Sequence, residues 1–181
     1  MDQDAIWIRK IAEGDRACFE ELFHAYQRRV FGYVFRLLGD VSQAEEVTGD
    51  VLFEVWKGAG RFGGRSRVST WIFGIAHHKV IDELRRRKPE EVDIEDHRGL
   101  VDPQHGPESD VIQADQRVRL QARLARLTPE HREVIELTFF QGCTVEEIAG
   151  ILQCPANTVK TRMFYARNKL REILKSQMGE P

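Results

Sequence analysis

The chain has only three cysteines, and they form no recognisable set. Cys18, Cys143 and Cys154 are odd in number and far apart, with neither zinc-finger nor thioredoxin spacing. That argues against a disulfide framework and for small buried side chains in a reducing compartment. No uninterrupted apolar run approaches the roughly 20 residues that a membrane-spanning helix needs. The first ten residues, MDQDAIWIRK, are acidic and lack an apolar core, so a signal peptide is not expected and the expected location is cytoplasmic. No stretch alternates apolar and polar residues with period two, so strands are not expected either. Also missing are a nucleophile–base–acid set, a phosphate loop and any metal-ligand spacing. The expectation is a non-enzyme with no cofactor and no metal.

A large net charge is absent too, since the sum is -2. The sum conceals segregation. From Arg61 to Lys88 eight cations face only Asp82 and Glu83, whereas from Glu90 to Asp110 eight anions face only Arg98. The final helical stretch is basic again. Two cationic surfaces separated by an acidic connector suit a nucleic-acid partner better than the mean charge does.

What is present is helical periodicity, with 41% hydrophobic and 31% charged residues, as in a soluble globular protein. Asp4 to Glu13 reads as a short helix ended by Gly14. Asp15 caps the next, whose inner face includes Phe19, Leu22, Phe23 and Tyr26 and extends through Val30, Val34 and Leu37 to Gly39. Ser42 with Glu45 reads as a capping box for a third helix. The glycine- and arginine-rich stretch from Gly58 to Ser69 reads as a loop. Ser69 or Thr70 then opens a helix closed by Pro89. Residues 89–110 contain Pro103, Gly106 and Pro107 and no sustained period, and read as a linker. Thr128-Pro129-Glu130 combines a cap, a first-turn proline and an early acid.

The stretch from Thr144 to Leu170, TVEEIAGILQCPANTVKTRMFYARNKL, has the build of a helix-turn-helix. Thr144 and Glu147 make a capping box, with Ile148, Ala149 and Leu152 inward. Gln153-Cys154-Pro155 interrupts the helix, and Asn157 or Thr158 restarts it. Val159, Met163, Ala166, Leu170 and Ile173 share one face of the second helix, and the opposite surface is basic, polar and aromatic. Cations there suit phosphates, and polar or aromatic groups near the helix start suit base edges in the major groove.

Two blocks, Ala44 to Arg87 (AEEVTGDVLFEVWKGAGRFGGRSRVSTWIFGIAHHKVIDELRRR) and Leu127 to Leu170, together resemble the bacterial extracytoplasmic-function (group 4) sigma factors of the sigma-70 family. The resemblance covers essentially the whole folded chain. It implies an all-α fold of two small domains, sigma-2 over 1–88 and sigma-4 over 111–178, joined by the acidic linker 89–110. The implied function is to direct core RNA polymerase to -10 and -35 promoter elements and to start transcription of a stress- or signal-responsive regulon. The implied partners are core polymerase, promoter DNA and an anti-sigma protein.

Carried over by position, the resemblance puts Lys160, Thr161, Arg162, Phe164 and Tyr165 at the -35 element, and Arg61, Gly64, Arg65, Ser66, Arg67 and His78 at the -10 element. Glu46, Asp50, Phe53 and Trp56 are the expected polymerase contacts; which of them face inward stays open. Independently, Arg61, Arg65 and Arg67 can track a phosphate backbone, with Phe62, Trp71, His77 and His78 as stacking surfaces for a single strand. Trp71 reads more readily as core. Arg162 and Arg167 have an alternative role, pairing with Glu146 or Glu147. Tyr165 stands where several relatives carry a basic residue, and Asn157 where many carry glycine. A stand-alone helix-turn-helix regulator is the alternative function. It leaves the Arg61 to Lys88 block without a purpose. An enzyme using His77, His78 or Cys143 is the weaker rival.

Overall fold

The computed structural model describes residues 2–86 and 119–178, and the described residues contain helices and turns with no strand. The linker expected over 89–110 lies outside the described residues. The helices are α1 (Gln3–Ala12), α2 (Arg16–Leu38), α3 (Val41–Gly58), α4 (Val68–Arg86), α5 (Pro129–Ile135), α6 (Val145–Leu152) and α7 (Ala156–Met178). Residues 119–125 are also helical. A 3-10 turn, Ala59–Arg61, follows α3, and a π-helical turn, Glu136–Phe140, follows α5.

Local chemistry sets most of the boundaries. Asp15 accepts the Cys18 amide at 3.1 Å and starts α2. Gly39 ends that helix with φ of 75°, a left-handed value that costs glycine little. Helix α3 starts at Asp40, whose carboxylate accepts the Gln43 amide at 2.8 Å, and not at the expected Ser42. Asp40 takes the cap because it directly follows the left-handed Gly39, where the chain is already extended. Helix α4 begins at Val68, ahead of the expected Ser69 or Thr70, and both of those side chains are buried in its first turn. Thr128 caps α5, and Thr144 with Glu147 forms the full reciprocal capping box of α6. Gln153 ends α6 in the left-handed region at φ 50°, and α7 restarts at Ala156, one residue before the expected Asn157.

Helices α1 to α4 pack around Leu22, Tyr26, Val30, Val34, Val51, Leu52, Ile72 and Phe73, all essentially inaccessible to water. The second group packs around Leu124, Val134, Leu137, Ile148, Val159 and Ala166. Burying each large aliphatic side chain stabilises the fold by roughly 1.5–3 kcal/mol, offset by chain entropy. The two groups touch one another: α4 lies against α6, and α2 lies against α5 and the π turn.

Candidate nucleic-acid interface

The helix-turn-helix is built by α6 and α7. Ile148 and Ile151 of α6 meet Val159 and Ala166 of α7 in the core, with Met163 and Leu170 packed beside them. That fixes the outer face of α7. Lys160 and Thr161 are exposed, as are Phe164 (60%) and Tyr165 (56%), whereas Arg162 is half-buried. The two aromatic rings meet edge to face at 5.5 Å, and Tyr165 stacks on His131 of α5 at 6.3 Å. Thr161 donates its hydroxyl back to the Asn157 carbonyl at 2.9 Å. The alternative pairing of Arg162 and Arg167 with Glu146 or Glu147 does not form. Arg167 lies over the Phe139 ring at 5.6 Å, and Glu147 is committed elsewhere.

The second cationic segment is the loop between the 3-10 turn and α4. Gly64 sits at φ 65°, a conformation that a larger residue adopts only with strain. Arg61, Arg65, Ser66 and Arg67 are all exposed. Arg61 reaches Glu54 at 3.7 Å, an exposed pair of little energetic weight. Of the four expected stacking surfaces, three are already taken up. Phe62 and Trp71 pack on each other at 5.0 Å, and the indole also closes over Gly58. His77 turns inward and its Nδ1 meets Glu133 Oε1 at 2.7 Å. Only His78 is exposed, one helical step from His77, and among the described residues no cluster of histidine, cysteine and acid can hold a metal.

A third surface lies along α3. Glu46 and Asp50 are exposed, with Lys79 Nζ 3.7 Å from Asp50 Oδ2. Phe53 is 55% exposed under Lys57, whose Nζ stands 4.3 Å from the ring centre. Trp56 is half-buried against Phe19 at 4.9 Å. Phe53, Trp56, Phe19 and Phe23 line an open apolar groove of about 470 Å³ between α2 and α3.

The two helical groups share one continuous apolar core, and a set of polar contacts joins them beside it. Arg36 of α2 forms a two-point ion pair with Glu136, at 2.5 and 2.7 Å. Tyr33 donates its hydroxyl to Glu133, the carboxylate that also meets His77. Arg29 donates to Gln141 at 3.3 Å, and Arg132 donates to the Arg36 carbonyl at 3.0 Å. Near α4's start, Thr70 Oγ1 donates to Glu147 Oε1 at 3.0 Å, and Arg67 Nη1 stands 3.5 Å from the same oxygen. Gln153 Nε2 and His78 Nε2 are 3.2 Å apart. Burial pushes the Glu147 carboxyl up, but the Thr144 amide, the Thr70 hydroxyl and Arg67 outweigh it and hold it below its ordinary value. Burial, with the charge of Glu133 beside it, raises the Tyr33 phenol well above its usual range, so it stays a donor. Tyr33, Arg36, Glu133 and Glu136 were not anticipated. The available signal was two acids flanked by Val134, Ile135 and Leu137, a segment too apolar to leave them a solvent face.

Sigma-70 region 2 matches residues 22–90, and Sigma-70, region 4 matches residues 117–170. The ECF RNA polymerase sigma factor SigK of Mycobacterium tuberculosis is 32% identical over 176 residues, covering 96% of this chain and 94% of that protein. The ECF RNA polymerase sigma factor RpoE of Cereibacter sphaeroides is 37% identical over 166 residues, 87% of each chain. Among solved structures, the sigma factor RpoE of Bartonella quintana, in complex with the anti-sigma factor NepR, superposes with a TM-score of 0.68. It is 25% identical, covering 87% of this chain and 96% of that one.

Proposed function

Because the chain belongs to the extracytoplasmic-function sigma factors of the sigma-70 family, we propose that it reads promoters at two points through the two surfaces described above. It is an RNA polymerase sigma factor, without catalytic chemistry of its own. Residues 1–88 form the polymerase-docking and -10 domain, 89–110 the connector, and 111–178 the -35 domain. The observation that carries this reading is the exposed outer face of α7, held rigid by Val159 and Ala166 beneath it, in a chain that also carries an exposed arginine loop.

On α7, Lys160 and Thr161 contact phosphate or base edges of the -35 element, with Arg162, Phe164 and Tyr165 beside them. Arg61, Gly64, Arg65, Ser66 and Arg67 follow the melted -10 strand, and His78 lines the site that takes its bases. Glu46, Asp50, Phe53 and Trp56 dock core polymerase, acids around an apolar centre being the usual anatomy of a specific interface. The location is cytoplasmic, in keeping with the finding that no helix among the described residues is long and apolar enough to cross a membrane. An anti-sigma protein is a further partner, by analogy with the Bartonella quintana complex.

In vitro transcription tests the reading. Purified core polymerase plus this protein initiates from a cognate promoter, and core alone does not. A protein that binds that DNA by itself yet never directs core to start would be a stand-alone regulator instead.

A further inference from the structure

Two of the residues assigned to the -10 strand, Arg67 and His78, are engaged by the -35 half of the same molecule. Both partners belong to α6 and its end: Glu147 for Arg67, Gln153 for His78. The Glu147 contact has a particular chemistry. One carboxylate oxygen accepts the Thr70 hydroxyl at 3.0 Å and lies 3.5 Å from the Arg67 guanidinium. Thr70 stands in the first turn of α4, where the free amides and the helix dipole favour an anion. A hydroxyl, a guanidinium and a helix start converging on one anionic oxygen also describe how a phosphate is held.

We propose that Glu147 stands in for a promoter phosphate, so that α6 and the -10 strand compete for Arg67 and Thr70. The proposal rests on the -10 assignment made above. The arrangement is held by the polar clasp at the other end of the contact, Arg36 on Glu136 and Tyr33 with His77 on Glu133. The occlusion is one-sided. Lys160, Thr161, Phe164 and Tyr165 remain exposed while Arg67 and His78 are engaged. The closed chain therefore keeps its -35 face open and engages part of its -10 face, Arg67 and His78, while Arg61, Arg65 and Ser66 stay exposed. The strand reaches Arg67 and Thr70 only in the fraction of molecules in which α6 has moved away, and the affinity those contacts contribute falls by that fraction.

The test uses the full chain and two fluorescein-labelled probes. One is the non-template single strand spanning the -10 element of a promoter that the protein directs in vitro, and the other is a duplex carrying its -35 element. Glu147→Gln removes the charge but keeps the capping box with Thr144, since glutamine serves at that position. Glu146→Gln on the same helix is the charge control, and Gln153→Ala releases His78 independently. Circular dichroism checks that all three stay folded.

The expected result is about threefold tighter single-strand binding by Glu147→Gln, the worth of one partly exposed ion pair, since the glutamine amide can still bond the Thr70 hydroxyl. A smaller gain is expected for Gln153→Ala, with neither Glu146→Gln nor duplex affinity changed. Equal gains for Glu146→Gln and Glu147→Gln would mean a general charge effect and overturn the proposal. So would unchanged binding by Glu147→Gln when the wild type binds the strand measurably. If no form of the protein binds the strand although core initiates with it, the -10 assignment itself is wrong.

Discussion

Arg36 and Glu136 stand 100 residues apart in the chain and meet in a two-point ion pair, with Glu136 only 1% exposed. The guanidinium lies at the same time over the Phe140 ring, 4.5 Å from its centre. Planar charge against planar charge, with an aromatic lid, is the geometry for which arginine is suited and lysine is not. Gln141 adds a third hydrogen bond to the Glu136 carboxylate, at 3.1 Å. The carboxylate is therefore fully engaged in a place where an unpaired charge is expensive.

Removing one partner leaves the other buried without compensation. Arg36→Met is expected to destabilise the chain by about 3 kcal/mol, at the low end for a buried pair because the arginine retains some solvent contact. Arg36→Met with Glu136→Leu should recover most of that loss, since an apolar pair of similar volume carries no desolvation cost. Urea unfolding midpoints measure both. A double variant as unstable as the single one would show that packing, and not the stranded charge, sets the loss.

Glu147 gives a pH dependence whose sign is fixed. Its carboxyl titrates below the ordinary 4.5 in the folded chain, so between those two values the unfolded chain binds more protons than the folded one. The stabilisation is complete above about 4.5 and is lost as the pH falls through the lower folded value. Glu147→Gln should flatten the stability curve in that acid window and leave its shape near neutrality unchanged. Urea midpoints measured on both proteins across the window give the answer. Parallel curves would remove Glu147 as the source.

Much of this architecture was legible beforehand, and the reason is locality. Asp15, Thr128 and Thr144 with Glu147 act on amides two or three residues away, so a short window of sequence contains both partners. Gly39 likewise terminates its helix by its own backbone freedom. Asp40 and Ser42 are both competent caps, and only the turn before them decides between the two. The clasp was not legible. Glu133, Glu136 and Glu147 find their partners in α2 and α4, 56 to 100 residues away, and no periodicity reports a pairing that depends on how two helical groups dock. The same docking took His77 away from the surface, although its neighbour His78 stayed there.

The three thiols also diverge from the expectation that all are buried. Only Cys143 is, and burial pushes its thiol up to about 11, whereas Cys18 and Cys154 are partly exposed. Cys143 should therefore resist iodoacetamide at pH 8 until the chain unfolds, while Cys154 is alkylated in the native state. Peptide mapping after timed alkylation distinguishes them. Native-state labelling of Cys143 at the rate of Cys154 would mean that the segment between the π turn and α6 opens readily.

The salt dependence of duplex binding tests the α7 assignment without knowledge of the promoter set. Each phosphate neutralised by a side chain adds about 0.9 to the slope of log affinity against log salt. Lys160→Ala should lower that slope by about 0.9 while leaving core-polymerase affinity intact, because Lys160 is exposed and supports no packing. Tyr165 offers the opposite experiment. It is an aromatic residue on the same exposed face, stacked on His131. Tyr165→Arg should raise the slope by about 0.9 if its position faces the phosphate backbone. An unchanged slope with altered sequence preference would put the side chain over the bases instead. Loss of core affinity by either variant would mean that the domain had been disrupted, and the α7 assignment would lose this support.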